Sequence, residues 1–254
     1  MKTVAMVLAV TVTSATALAQ QAPALEAVSI KPNTSGSATS GGLAPNRGRF
    51  AATNVTLREL ITYAYRVRPF QLEGLPDWAT RERYDIASRT PDGQLATPPM
   101  LVPALEERFS LKVTRQTHQR PIYALVKARA DGKLGSGLVV STNPCDRART
   151  DLPPCQSRFG RDLVEATGMD IRALAPQLIG TVGRLIVDRS GLEGRFDVSL
   201  KWTPDLPPGV EPAGGAERVS LFTALEEQLG LRLQPDTGPV DVLVIESVSR
   251  PTPD

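Results

Sequence analysis

The chain has 254 residues, a formal net charge of +2 and no block of basic residues, which argues against nucleic acid as its main partner. One histidine and two cysteines are too few for a zinc site of the usual kind, so no metal and no cofactor is expected. Twenty-two prolines fall between apolar blocks, where they punctuate a fold.

Residues 1–19 read as an export signal: Lys2, an apolar core from Val4 to Val12, and Ala17-Leu18-Ala19 before Gln20. Thr11, Thr13, Ser14 and Thr16 interrupt that core, which falls short of the ~20 residues a membrane span needs. The mature chain is therefore expected to be periplasmic or secreted, without a membrane span.

Leu25 to Lys31 reads as a strand ended by Pro32-Asn33, and Arg49 to Asn54 as a second. Thr56 caps a predicted helix whose Leu57, Leu60, Ile61 and Ala64 share one apolar face. Gln71–Leu75 and Tyr84–Ser88 read as strands and Pro98–Phe109 as a helix. Leu111–Thr117 and Ile122–Ala130 read as a strand pair with a turn at Gln119-Arg120-Pro121, beside which His118 reads as a solvated turn residue. In the second half, Arg161–Ala166 is strand-like and Asp170 caps a helix to about Val182, with Ile171, Leu174, Ala175 and Leu178 on one face. Leu185–Asp188 and Arg195–Trp202 are strands, Ser220–Leu229 a helix, and 231–234 with 240–248 a closing strand pair.

The two halves resemble each other. Leu105–Val113 returns as Leu225–Leu233 at an offset of 120, Pro121–Val126 as Pro239–Val244 at 118, and Arg83–Ile86 as Arg195–Val198 at 112. The sequence thus predicts an α+β protein of two pseudo-repeated units, each with helices packed on a mostly antiparallel sheet. The expected boundaries are 20–135 for the first repeat, 136–168 for a Pro-rich connector, and 169–254 for the second repeat. Cys145 and Cys155 lie in the connector. In an exported chain they are expected to form one disulfide closing a short loop, a stabilisation of about 3 kcal/mol on the chain-entropy estimate.

Several blocks follow a known pattern in order. They include Ser29-Ile30-Lys31-Pro32-Asn33, Gly48-Arg49-Phe50, Thr56-Leu57-Arg58, Gly74-Leu75-Pro76-Asp77-Trp78 and Arg83-Tyr84-Asp85-Ile86. Asp188-Arg189-Ser190-Gly191-Leu192 and Phe222-Thr223-Ala224-Leu225 continue the pattern. The chain resembles a soil-associated, acidobacterial family of secreted proteins of unknown function. The resemblance implies export and a shared fold but assigns no catalytic residue. Similar domains occur attached to membrane metallopeptidases that resemble antibiotic sensors, which implies a role in envelope sensing. Leu75 departs from the pattern, standing where the family often has a second glycine.

No nucleophile elbow, zinc-protease helix or phosphate-gripping glycine loop is present in the sequence, so no catalytic residue is assigned. The Asp188–Gly194 loop reads either as an acid, a base and a hydroxyl on display, or as a turn with Gly191 and Gly194 at positive φ. Arg83/Asp85 and Arg195/Asp197, at i and i+2 on their strands, read as salt bridges that brace the repeats. Trp78 and Trp202 read as core residues or as walls of a ligand cleft, and with Asp188 and Arg189 they are the candidate binding residues. The expected function is an exported, non-enzymatic module that binds a small ligand or an envelope protein. The alternative is a secreted hydrolase using the Asp188 loop with Asp85 or Asp197 as its acidic partner.

Overall fold

The computed structural model describes residues 23–142, 155–204 and 219–252. The expected export signal and Cys145 lie outside them. The chain divides into two compact units, one within Met1–Arg66, Trp78–Ser110 and Ser249–Asp254, the other within Val67–Asp77 and Leu111–Val248.

In chain order, β1 (Glu26–Pro32), β2 (Gly42–Asn46), β3 (Arg49–Thr56) and α1 (Leu57–Tyr65) belong to the first unit. The short β4 (Leu72–Glu73) belongs to the second, and α2 (Trp78–Arg81), β5 (Arg83–Arg89) and α3 (Val102–Arg108) return to the first. Next in the second unit are β6 (Lys112–Lys127), β7 (Leu138–Val140), β8 (Ser157–Phe159), β9 (Leu163–Asp170) and α4 (Leu174–Val182). It closes with β10 (Ile186–Asp188), β11 (Arg195–Lys201), α5 (Leu221–Ala224), a π turn at Leu225–Leu229 and β12 (Leu231–Ser247). Among the described residues no helix is long and apolar enough to cross a membrane.

The helices begin and end where local chemistry dictates. Thr56 Oγ1 accepts the Glu59 amide at 3.3 Å, while the Glu59 carboxylate accepts the Thr56 amide at 2.7 Å, a reciprocal capping box. Leu57, Leu60, Ile61 and Ala64 are all buried, as their spacing predicts. Asp170 accepts the Arg172 amide at 2.9 Å and starts a single 3-10 turn that runs into α4, whose Leu174, Ala175 and Leu178 are buried.

The α+β class holds, and the pseudo-repeat shows in the topology. The first unit's sheet has the order β1-β5-β3-β2, and the second unit contains a sheet of order β7-β11-β9-β8. Replacing each strand by its counterpart six places later turns one into the other. The second unit also holds a sheet of order β10-β6-β12-β4. Here β6 and β12 run antiparallel from Leu231↔Lys127 to Ser247↔Lys112, with β10 parallel to β6 and β4 parallel to β12. Exchanging the copies maps this sheet onto itself about a local two-fold at Arg120↔Gly238 and Gln119↔Pro239.

This pairing corrects the two expected hairpins. Neither Lys112–Lys127 nor Leu231–Ser247 turns back on itself; each is one continuous strand whose partner is the other. The prolines that suggested turns sit where a strand can carry them. β10 covers β6 only at Tyr123–Leu125 and β4 covers β12 only at Leu243–Val244, which leaves Pro121 and Pro239 beside an open edge where a missing N–H breaks no further ladder. Gly238 has no turn role either: a Cβ there would lie 2.6 Å from Ile122 Cδ1.

The compact units cut across the expected repeat boundaries, because β4 and β6 from the first copy lie in the second unit. The described part of 136–168 supplies β7, β8 and most of β9. In the first unit the core is built around Phe50, Leu60, Ile61, Tyr84, Leu105 and Phe109, with Tyr84 and Phe109 edge to face at 5.4 Å.

Candidate functional site

The site begins with a backbone irregularity that both copies share. β3 and β5 lose register between Ala52 and Val55, and the bulged Asn54 takes φ 54°, in the left-handed region. A bulge leaves its own N–H and C=O without ladder partners. Asp85 accepts the Asn54 amide at 2.8 Å, and Arg83 Nη1 donates to the Asn54 carbonyl at 2.7 Å. In the second unit β11 and β9 lose register between Phe196 and Val198, and Gly168 takes φ 63°. Asp197 accepts the Gly168 amide at 2.9 Å, and Arg195 Nη1 donates to its carbonyl at 3.2 Å. The two Arg/Asp pairs do lie on one face of their strands. They form no ion pair within either couple; each couple holds the two ends of a bulged peptide. The expected salt bridges are therefore bulge clamps.

Beside the first clamp lies a cavity of about 530 Å³, lined among others by Asn33, Asn54, Arg81, Glu82, Arg83 and Arg250. The Asn33 amide nitrogen donates to both Asp85 oxygens, at 2.8 and 2.9 Å, and Asn54 Nδ2 ties the 37–39 loop through the Ser37 and Thr39 carbonyls. Arg83 Nη2 donates to the Ala38 carbonyl at 2.7 Å. Among the described residues no carboxylate stands within ion-pair distance of Arg83. Arg250 grips Glu82 through Nε at 3.0 Å and Nη2 at 2.6 Å, and its guanidinium lies 5.3 Å from the centre of the Trp78 ring. The Arg250 hydrogen bonds, aided by one from the Tyr84 hydroxyl at 3.0 Å, hold the Glu82 carboxyl below its ordinary range. Burial, then the Glu82 carboxylate, pushes the Tyr84 hydroxyl far up, so it stays protonated.

The second clamp has its own cavity, about 370 Å³, lined by Arg195 and Gly168 with Cys155, Phe159, Met169 and Gln177 among others. Arg195 Nη1 lies 3.8 Å from Cys155 Sγ, and the expected bridge to Cys145 falls outside the described residues.

The candidate residues from sequence are scattered. Asp188 accepts the Ser190 amide at 2.9 Å, and Ser190 Oγ, on a buried residue, accepts the Leu192 amide at 3.2 Å. Arg189 pairs with Asp236 at 2.6 Å, and Gly191 and Gly194 take φ 65° and 99°. The described hydrogen bonds of Asp188 and Ser190 thus close a turn. Trp202 is 6 % exposed in the core of the second unit, and no described group accepts from its Nε1. Trp78 opens α2 in the first unit, half-buried under Arg250.

His118 is placed otherwise than expected. It lies within β6 opposite Val240, with Nδ1 3.2 Å from both Glu73 oxygens and Nε2 2.9 Å from Gln116 Oε1. Arg120 pairs with the same Glu73 carboxylate and, as the main cause, holds it below its ordinary range. Sequence reasoning missed Glu73, Glu82 and Arg250. Glu73 had no signal in the sequence, because it comes beside His118 only through the pairing of β4 with β12 and of β12 with β6. Glu82 and Arg250 had none, being 168 positions apart.

The fold and the two clamped bulges define a duplicated α+β protein in which each unit carries a cavity beside an Arg–Asp pair. The chain belongs to the family described as "Protein of unknown function (DUF3738)", whose sequence model matches residues 58–248. No curated protein and no solved structure matches it.

Proposed function

We propose that this chain is an exported, non-enzymatic binding module whose ligand seat is the cavity beside the Asn54 clamp. One observation carries the reading: at about 530 Å³ the cavity is in the range of small-molecule sites, and its polar walls are held in place before any ligand arrives. Arg83 is fixed by two carbonyls and Arg250 by Glu82 and Trp78. Export draws on the leader-like residues 1–19 and on the Cys145/Cys155 pair, which suits an oxidising compartment. The resemblance to domains joined to sensor-like peptidases points the role toward envelope sensing.

A thermal-shift screen of the mature protein against envelope extracts and small solutes tests this. A stabilising fraction whose effect is lost in Arg81→Gln supports the seat, and a silent screen counts against it. A second reading, docking of an envelope protein on a sheet edge, draws on Val139 and Val140, exposed on the edge strand β7. It predicts that Val140→Lys abolishes capture of that protein while leaving the small-solute shifts intact. The hydrolase alternative requires that Asp188→Asn remove a measurable turnover with the melting temperature unchanged.

A further inference from the structure

We infer that the cavity of the first unit takes a small organic carboxylate, bound through Arg83 with Arg81 alongside. This rests on the reading of the cavity as a ligand seat and adds the ligand's chemistry. Arg83 and Arg250 line the space together with the Glu82 carboxylate, and Arg81 stands alongside. Glu82 is spent on Arg250, which grips it through two nitrogens. Among the described residues, the acceptors of Arg83 are the neutral carbonyls of Asn54 and Ala38. A guanidinium carries five N–H donors, and three of those on Arg83 have no acceptor among the described residues, on a group whose planar fork suits a carboxylate.

The size of the charge decides the class of anion. Asp85 stands behind the wall, committed to Asn33 and the Asn54 amide, and offsets part of the Arg83 field. With Glu82 neutralised by Arg250 and Asp85 offsetting part of Arg83, a singly charged carboxylate balances the remaining positive charge more closely than a doubly charged phosphate. Pro32 and Pro251 add apolar wall, and the Tyr84 hydroxyl brings no charge, so the remainder of the ligand is uncharged. A volume of about 530 Å³ holds an acid the size of a small peptide.

Isothermal titration of the mature protein tests this with three probes: N-acetylated dipeptides as free acids, the same dipeptides as C-terminal amides, and inorganic phosphate. The free acids are expected to bind ten-fold or more tighter than the amides, with the difference shrinking as salt is raised. Arg83→Gln should erase the difference and Arg81→Gln should cut it several-fold. Arg83 also holds the bulge, so a melting curve accompanies each variant, and Arg81→Gln carries the test if Arg83→Gln unfolds. Acids and amides binding alike would overturn the carboxylate while leaving the cavity as a seat. Phosphate binding tighter than every acid would also overturn it. Binding of none of the three probes sinks both readings.

Discussion

Asp197 accepts the amide of Gly168 at 2.9 Å, across a break in strand register. Asp85 does the same for Asn54 at 2.8 Å in the other copy, so the side chains that resemble a catalytic acid and its cation are spent on backbone. Each clamp fixes a bulge at the mouth of a cavity, which links the repeat to whatever the cavities hold.

Asp197→Ala leaves the Gly168 amide without its described acceptor, and the loss should be about 1–2 kcal/mol of unfolding free energy. Asp85→Ala removes three contacts, including both from Asn33, and should cost about 2–3 kcal/mol. Urea melts read both values. Unchanged midpoints in the two variants would mean that the bulges hold without their clamps.

Gly230 ends the π turn at φ 69°, and a Cβ there would stand 2.8 Å from both the Gly135 nitrogen and the Lys133 carbonyl. A Cβ on Gly135 would stand 2.2 Å from the Gln228 carbonyl. Gly135→Ala should therefore destabilise by about 2–4 kcal/mol, well beyond an ordinary surface change, as measured by thermal melting. A shift within about 0.5 kcal/mol of wild type would contradict the packing of this loop on the turn.

Acid should loosen the tie between Glu82 and Arg250. The folded Glu82 carboxyl titrates below its ordinary value, so its contribution is fully present above the unfolded carboxylate pKa, about 4.3. It disappears as the pH falls through the lowered folded value. The melting temperature of Arg250→Met should lie below wild type near neutrality and converge on it in acid. A gap that stays constant with pH would show that Arg250 acts only by covering Trp78.

Trp202 buries an indole whose nitrogen meets no described acceptor. Trp202→Ala should cost about 3–5 kcal/mol by opening a cavity in the core. Trp202→Phe removes this donor, which has no acceptor among the described residues, and should cost about 1 kcal/mol or less. Equal losses in the two variants would reveal a partner for the indole nitrogen.

Thiol titration under denaturant addresses the cysteines. Protein recovered from an oxidising compartment should show no reactive thiol until reduced, and then two. Free thiols before reduction would rule out a bridge between Cys145 and Cys155.

Local signals in the sequence were dependable. Thr56 and Asp170 cap where their side chains can reach the next amides, and the apolar faces of α1 and α4 are buried as their spacing requires. Gly191 and Gly194 take the positive φ their loop calls for. Partners chosen over distance were not legible. Pro121 and Pro239 carry a strong turn signal, yet each copy's last strand finds its complement in the other copy, and sixteen aligned pairs outweigh two short hairpins. The Arg/Asp spacing put both side chains on one face, but nothing local announces a bulge on the neighbouring strand.

The sequence alone determined the α+β class, the duplicated order of elements, the capped helices and the shared faces of the Arg/Asp couples. Each depends on residues within one turn or one strand, or on comparing one half of the chain with the other. The tertiary structure decided that β6 pairs with β12, that the clamps hold Asn54 and Gly168, and that Arg250 meets Glu82 over Trp78. Those choices turn on which groups from remote segments are left without hydrogen-bond partners or apolar cover, and only the folded chain brings such groups together.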